Sequence, residues 1–392
     1  MSLLAVNAGS SSLKFSLYPL AGNTVGPALL TGQFQGLEPH GTPQMSWQVD
    51  GKTTADRLGA NADPFDEALA RLRALLSGMD SLPPLRGIAH RVVHGGRLYR
   101  SSLVVDTQVL AQLETLNLLA PLHQPHNLAG IRAFAQAFPA LPQIACFDTA
   151  YHASVPSQDY EFALPQSLTA SGVRRYGFHG LSYQFIMGQL MAHSQKAKGR
   201  VLMAHLGNGA SLCGALNGLS QATTMGFSAL DGLIMGTRSG SLDAGVLLYL
   251  LEQGWTHDRL QNLLYKESGL LGLSGLSADM RKLRQSDSPH ASHAIELFTH
   301  RIVREAGAMT GCLQGLDVIA FSGGIGEHDA QLRQDVCTAL SWLGLDIDAG
   351  LNAKAVGDQV LAIHAPTSRI EVWVIPTDEG FVAASEAARL LS

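Results

Sequence analysis

Two glycine-rich turns, about half a chain apart, constrain this sequence most. They are Leu3-Leu4-Ala5-Val6-Asn7-Ala8-Gly9-Ser10-Ser11-Ser12-Leu13-Lys14-Phe15-Ser16-Leu17 and Leu202-Met203-Ala204-His205-Leu206-Gly207-Asn208-Gly209-Ala210-Ser211-Leu212-Cys213-Gly214-Ala215-Leu216. Each reads as an apolar strand, a turn of small residues and a second strand. A turn of Gly, Ser and Asn bares backbone N–H groups and hydroxyls with no bulky side chain in the way, which suits phosphate. Either turn alone reads equally well as a plain hairpin, because Asn-Gly and Gly-Ser are ordinary hairpin pairs. The repetition points to two related half-molecules, each offering a turn to one phosphate chain.

A chain of 392 residues exceeds one typical core, so two domains are expected, with a boundary near 149 to 152. Apolar residues make up 46% and charged residues 15%, enough to build those cores. The net charge of −5 argues against a nucleic-acid groove but not against a nucleotide held by backbone donors and a metal. The four cysteines, Cys146, Cys213, Cys312 and Cys337, are widely spaced in apolar stretches and read as buried, reduced thiols. Met1-Ser2-Leu3-Leu4 does not open a secretory signal, and no apolar run is long enough for a bilayer. A cytoplasmic protein with no membrane partner is the expectation.

Further along, 21 to 62 read as strands and loops, and Asp63-Pro64 as a helix start with Asp63 as cap. Gly87 to Val93 reads as a strand ending at His94-Gly95-Gly96, and Gln143 to Asp148 as a short buried strand with Asp148 at its C-terminal end, with helices near 107 to 118 and 126 to 137 between them. A second hairpin over 200 to 217 is followed by helices near 257 to 267 and 290 to 313. A buried strand, Asp317 to Phe321, leads into Ser322-Gly323-Gly324-Ile325-Gly326 and a helix from about Glu327. The last strand is Glu371 to Ile375, and a helix from Asp378-Glu379 runs to about Leu391. This order predicts an α/β fold with mixed sheets.

Polar residues gather where these strands end, the usual ligand edge of such sheets. Asn7, Asp148 and Asp378-Glu379 can hold Mg²⁺ directly or through water, or cap helices, which is the better reading of Asp378. Arg91, and Arg238 in Met235-Gly236-Thr237-Arg238-Ser239-Gly240, suit a carboxylate or phosphate through the guanidinium fork. For Arg91 a surface or domain-interface salt bridge is an equal reading. His179 lies between glycines and by itself reads as structural. His123 and His126 lack a third ligand nearby, which disfavours zinc. Gly323 to Glu327 resembles a nucleotide-binding turn, but no Gly-Lys-Ser/Thr follows, so it is not a P-loop.

Nine ordered stretches together carry a resemblance that runs nearly end to end. They are Asn7 to Phe15, His90 to Gly96, Ala120 to His123, Phe147 to His152, Arg175 to Gly180, His205 to Ser211, Met235 to Gly240, Gly323 to Glu327 and Ile375 to Glu379. The chain resembles the acetate kinases, which belong with the sugar kinases, actin and the heat-shock chaperones. The resemblance implies a duplicated two-lobed actin-like ATPase (ribonuclease H-like) fold with a nucleotide cleft between lobes. One lobe would be 1–150, completed by the helix at about 380–392. The other, 151–379, would bind nucleotide and form a homodimer.

The implied activity is reversible, in-line phosphoryl transfer from ATP to acetate, with Mg²⁺ (or Mn²⁺). Arg91, Asp148, His179 and Arg238 would be catalytic, the arginines holding carboxylate and phosphoryl group and His179 donating to phosphoryl oxygens. Asn7, Asp148 and Glu379 would surround the metal. Asn7, Ser10, Ser12, Lys14, His205, Gly207, Asn208, Gly209, Gly323, Gly324, Ile325 and Gly326 would line the nucleotide. Val93, Leu122 and Phe178, with Arg91, would form the acyl pocket, where Ala229 replaces a family proline. Gln124 and His328 stand where the family usually has Asn. The competing readings are a propionate or other short-chain carboxylate kinase, an alcohol kinase with Asp148 as base, and a chaperone-like ATPase.

Overall fold

The computed structural model describes residues 1–38, 41–58, 64–79 and 81–392. The chain divides into two units, Met1–Ala150 with Asp378–Ser392, and Tyr151–Thr377. Each is built on its own mixed sheet.

In the first unit the run Leu3-Leu4-Ala5-Val6 is buried throughout, as a strand covered on both faces must be. Strand Ser2–Ala8 pairs antiparallel with Ser12–Ala21 and parallel with Leu85–Val92, which in turn pairs parallel with Gln143–Phe147. Ala145 and Phe147 pack with Leu128 and Ile131 of helix Gln124–Ala137. Cys146, between them, points the other way, its Sγ 3.8 Å from the Ala383 carbonyl of helix Glu379–Leu390. Strand alternation therefore puts the two helices on opposite faces. The last helix buries Ala383, Ala384, Ala387 and Ala388, small side chains that let it lie close to the sheet. The helix expected after Asp63 spans Pro64–Ser77; Asp63 itself lies outside the described residues.

The second unit repeats this plan. Strand Arg200–Leu206 pairs antiparallel with Ala210–Leu216 and parallel with Val318–Ser322, which pairs parallel with Glu371–Val374. The two glycine-rich turns occupy equivalent places but differ in length. Ala8 pairs with Leu13 across residues 9–12, whereas Leu206 pairs with Ala210 across 207–209. The second hairpin ends near 217 as expected, with strands Arg200–Leu206 and Ala210–Leu216, but a third strand that was not foreseen follows it. Asn217 (φ 52°) and Gly218 (φ 79°) turn it into a third strand, Leu219–Thr223, because two consecutive positive φ values suit a two-residue hairpin turn.

Two expectations are corrected. The glycine run is not a turn ahead of a helix from Glu327: helix Gly323–His328 starts at its first glycine. Glu327 Oε1 reaches back to accept the Gly323 N–H at 2.8 Å, satisfying a first-turn donor. Gly323 has φ 74°, and a Cβ there would sit 2.7 Å from the Leu206 carbonyl oxygen, so only glycine fits. Of the cysteines, Cys146, Cys213 and Cys337 are buried but Cys312 is exposed. It falls beside, not on, the buried stripe Phe298, Ile302, Ala306, Met309 and Leu313 of helix Pro289–Leu313.

Arg333 secures this glycine-rich helix from below. It is fully buried. Its guanidinium donates to the carbonyls of Gly326, Glu327, Asn352 and Ala355 at 2.8–2.9 Å, and to Asn352 Oδ1 at 2.8 Å. Arg333→Met keeps the apolar stem but strands those buried acceptors. It should cost about 3–5 kcal/mol, the range for breaking a buried charged network. Urea unfolding measures it; a loss below about 1 kcal/mol would show that the carbonyls find other donors.

Candidate active site

In the first unit, Asn7, Arg91 and Asp148 come from the C-terminal ends of three adjacent parallel strands. Val6 pairs with His90 and Arg91 with Cys146, so strand register brings these ends level. The Asp148 N–H donates to the Val92 carbonyl at 3.0 Å, which turns its carboxylate toward Arg91. Arg91 grips it with a fork, Nε to Oδ1 at 3.0 Å and Nη2 to Oδ2 at 2.6 Å. A second carboxylate joins, Glu379 Oε2 at 3.3 Å from Arg91 Nε. Glu379 is delivered by its helix, whose cap is Asp378: Asp378 Oδ1 accepts from the Phe381 N–H at 2.9 Å and from Tyr18 Oη at 2.6 Å. Capping is thus the role of Asp378, as its position predicted.

Asp148 is 1% exposed. Burial pushes its carboxyl up to about 6, against the pull of Arg91. Burial disfavours the Arg91 charge, but Asp148 and Glu379 together outweigh it and leave that charge secure. Two carboxylates on one guanidinium leave the cluster net negative, a setting of hard oxygens that fits a divalent cation.

The turn after Asn7 closes through the Gly9 N–H to the Ser12 carbonyl at 2.8 Å, with Ser10 and Lys14 exposed and Ser12 half-buried. The loop after Arg91 is stapled to helix Gln124–Ala137. Asn127 Oδ1 accepts the Val93 N–H at 3.0 Å, and the Gln124 amide makes both hydrogen bonds to the His94 backbone, at 3.0 and 3.1 Å. Val93 is buried and Leu122 half-buried.

In the second unit, His179 precedes helix Gly180–His193 in the left-handed region, φ 59°. Its ring stacks on His205, centroids 4.3 Å apart. Turn 207–209 follows His205 directly, and a Cβ on Gly209 would lie 3.2 Å from His179 Nε2. The Asn208 carbonyl accepts the Gly236 N–H at 3.0 Å, tying this turn to the segment carrying Arg238. Arg238 Nη1 donates to the Ala229 carbonyl at 3.2 Å, and its Cζ lies 6.0 Å from the Tyr265 ring centroid. Below it Leu263–Glu267 is wound as a π-helix. The Leu264 and Tyr265 carbonyls there accept from the Ser239 N–H at 3.3 Å and Thr237 Oγ1 at 2.8 Å. Such insertions recur at functional sites because they free backbone groups for other partners.

A cavity of about 990 Å³ opens beside the turn, lined by Gly207, Asn208, Gly324, Ile325 and His328. Its volume is that of a site for a nucleotide-sized ligand. The opposite wall is segment 278–281 with Arg284 and Gln285. Gly323 and Gly326 do not line it; they face Leu206.

A model described as the Acetokinase family matches residues 2–385. The chain belongs to the acetokinase family. An acetate kinase of Rhodopseudomonas palustris is 48% identical over 391 residues, covering 99% of this chain and 98% of that one. The crystal structure of Porphyromonas gingivalis acetate kinase superposes with a TM-score of 0.89 at 32% identity, over 100% of both chains. A propionate kinase from Francisella tularensis superposes with a TM-score of 0.90 at 34% identity, over 98% of both. The duplicated two-sheet α/β fold expected from the paired turns is the fold of this family.

The sequence reading overlooked the residues that hold others in place. Asn127 and Thr149, whose Oγ1 accepts the Gly95 N–H at 3.1 Å, brace the Val93 loop. The 278–285 wall of the cavity and the π-helix were also missed. Asp279, a helix cap whose side chain accepts the Arg281 N–H, was the one local signal for the former. The π-helix has none, since its sequence Leu263-Leu264-Tyr265-Lys266-Glu267 is good α-helix material.

Proposed function

We propose that this chain transfers the γ-phosphoryl group of ATP reversibly and in line to acetate, giving acetyl phosphate. The observation that carries this reading is His179 Nε2 beside Gly209, in the turn whose Gly207 and Asn208 line the nucleotide-sized cavity. A donor there meets phosphoryl oxygens, where charge must be stabilised. The acceptor carboxylate is already ionised and needs no general base. Asp148 is suited to no such role, both its oxygens being held by Arg91. Arg91 and Arg238 neutralise carboxylate and phosphoryl charge, and positioning with electrostatics supplies the rate. Release of ADP from ATP with acids from formate to butyrate and with glycerol, followed by trapping of acyl phosphate with hydroxylamine, tests this. ADP release with glycerol alone, giving no hydroxamate, would favour the alcohol-kinase reading.

Asp148 and Glu379, with Asn7, are the residues that would hold Mg²⁺, which when bound screens the phosphate charge. Among the described residues no three or more His, Cys, Asp or Glu side chains form a metal cage. Mg²⁺ does not need one, because it keeps several waters and takes phosphate oxygens. The reading places the enzyme in the cytoplasm, where its co-substrate is. Among the described residues no helix is long and apolar enough to cross a membrane.

Acetate rather than propionate is the first substrate, but Ala229 bears on the margin between them. Its carbonyl anchors Arg238, so its side chain stands near the transfer chemistry, where the family proline is replaced by a smaller group. Ala229→Pro should lower the propionate-to-acetate ratio of kcat/KM. One methylene is worth about 1–3 kcal/mol in an apolar pocket, so a shift of several-fold is expected. An unchanged ratio in a folded variant removes Ala229 from the acyl pocket.

The homodimer is assigned to helix Ala244–Glu252. Its sequence AGVLLYLLE is almost wholly apolar, yet none of its residues is buried. Leu248 is 63% and Tyr249 59% exposed, with Leu242 and Leu251 nearly half exposed beside them. A contiguous apolar patch of this kind marks an interaction surface, and a second copy of this chain offers the same patch, as a two-fold interface requires. Leu248→Asp should shift sedimentation from dimer to monomer at micromolar concentration. A variant that sediments as the wild type does places the interface elsewhere.

A further inference from the structure

The His179 ring is held by a chain of hydroxyls that the transfer reaction does not itself require. His179 Nδ1 lies 2.8 Å from Ser211 Oγ, and Ser211 Oγ lies 2.5 Å from Tyr183 Oη. Ser211 and Tyr183 are both fully buried. Burial pushes the Tyr183 phenol up, so it keeps its proton. A phenol is a stronger donor and a weaker acceptor than an aliphatic hydroxyl, so across this contact Tyr183 gives its proton to Ser211 Oγ. Ser211 has one proton of its own and, with one lone pair so occupied, directs it to His179 Nδ1. A neutral imidazole that accepts at Nδ1 carries its proton on Nε2.

We propose that Ser211 and Tyr183 are positioning residues that hold His179 as the tautomer protonated on Nε2, the nitrogen facing the Gly207–Gly209 turn. The proposal deepens the reading of His179 as donor to phosphoryl oxygens and rests on it. Without the chain, an imidazole protonated on Nδ1 would present a lone pair to an anionic oxygen, and repulsion would replace a hydrogen bond. Turning the ring over does not correct this, because it would put a carbon in place of Nδ1 against Ser211, and the plane itself is set by packing on His205, at 29° between planes. His205 is fixed in turn: its Nδ1 is 2.7 Å from Ser182 Oγ, which is 2.9 Å from Thr377 Oγ1.

The test is the ¹⁵N spectrum of the full-length protein labelled at histidine, without substrate and at about pH 8, where an ordinary imidazole is neutral. The His179 signals are assigned by their loss in His179→Gln. Nε2 should show the shift of a protonated nitrogen and Nδ1 that of an acceptor. Ser211→Ala should give a mixture of tautomers. Its kcat should fall on the order of 10- to 100-fold, the usual range when a working imidazole loses its orienting partner. KM for ATP should stay within about twofold, since a transition-state donor is what is weakened, and Ser211→Thr should recover most of the rate. Tyr183→Phe, which deletes one oxygen, provides the same comparison where Ser211→Ala does not fold. A wild-type ring protonated on Nδ1 or on both nitrogens, or an unchanged tautomer in the hydroxyl-deleted variants, overturns the proposal. A wild-type spectrum as expected, from a protein that makes no acyl phosphate, would instead fault the functional reading and leave the tautomer assignment standing.

Discussion

Arg238→Ala should lower turnover by on the order of 10³-fold while leaving the fold almost as stable as before. The two effects separate because the segment does not depend on the side chain for its shape. The guanidinium donates to the Ala229 carbonyl, lies 3.9 Å from Met235 Sδ and sits over the Tyr265 ring. Its segment is held independently by backbone, through the Met235 N–H to the Arg238 carbonyl at 3.1 Å and the Leu270 N–H to the Met235 carbonyl at 2.9 Å. Urea unfolding should therefore show less than about 1 kcal/mol of loss. Lysine should rescue little, because a point charge cannot reproduce the planar fork. Turnover within about tenfold of wild type would remove Arg238 from the transition state. Arg91→Ala would be a poorer experiment. It leaves the buried Asp148 without its guanidinium, so stability and chemistry change together.

Asp148→Asn should raise the Mg²⁺ concentration needed for half-maximal rate by about 10- to 100-fold, as for other lost metal-site partners. Maximal turnover should fall as well, by on the order of 10²-fold or more. Asparagine turns an acceptor facing Arg91 Nε or Nη2 into a donor, so the guanidinium is left to Glu379 alone. Breaking the pair should also destabilise the first unit by about 3 kcal/mol. Metal titrations at saturating acid and nucleotide measure the first effect and urea unfolding the last. If only turnover falls, with metal dependence intact and the pH profile displaced, Asp148 is a general base and the alcohol-kinase chemistry returns.

Much of the fold was legible because its signals are local. The buried strands are runs such as Leu3 to Val6 and Val318 to Phe321, too apolar to lie anywhere but inside a sheet. The C-terminal helix declares its start at Asp378, a cap by chemistry. Helix Gly180–His193 was not foreseen: its apolar residues Leu181, Tyr183, Phe185, Ile186, Met187, Leu190 and Met191 spread round the whole helix, so no single helical stripe stands out. Helix Ala244–Glu252 was missed for a related reason, being apolar nearly all round. The Gly323 helix was misplaced because glycines disfavour helix locally. The Glu327 carboxylate at Gly323 N–H and the Arg333 clamp on the other end override that preference.

The sequence by itself determined the duplicated α/β plan, the two phosphate-suited turns, the strand-end placement of Asn7, Arg91 and Asp148, and, through nine ordered motifs, the family. These follow from periodicity, turn chemistry and residue order, which act over a few residues at a time. Only the tertiary structure decided what those side chains do to one another. Arg91 was open between a surface or domain-interface salt bridge and an anion site; the fold pairs it within the first unit, where Asp148 and Glu379 meet one guanidinium. His179 read as structural from its neighbours alone, and it is Ser211, 32 positions away, that fixes its orientation. The physical reason is the same in both cases. Hydrogen bonds and ion pairs are set by distances of a few ångströms between residues far apart in the chain, and those distances exist only once the sheets have brought their strand ends level.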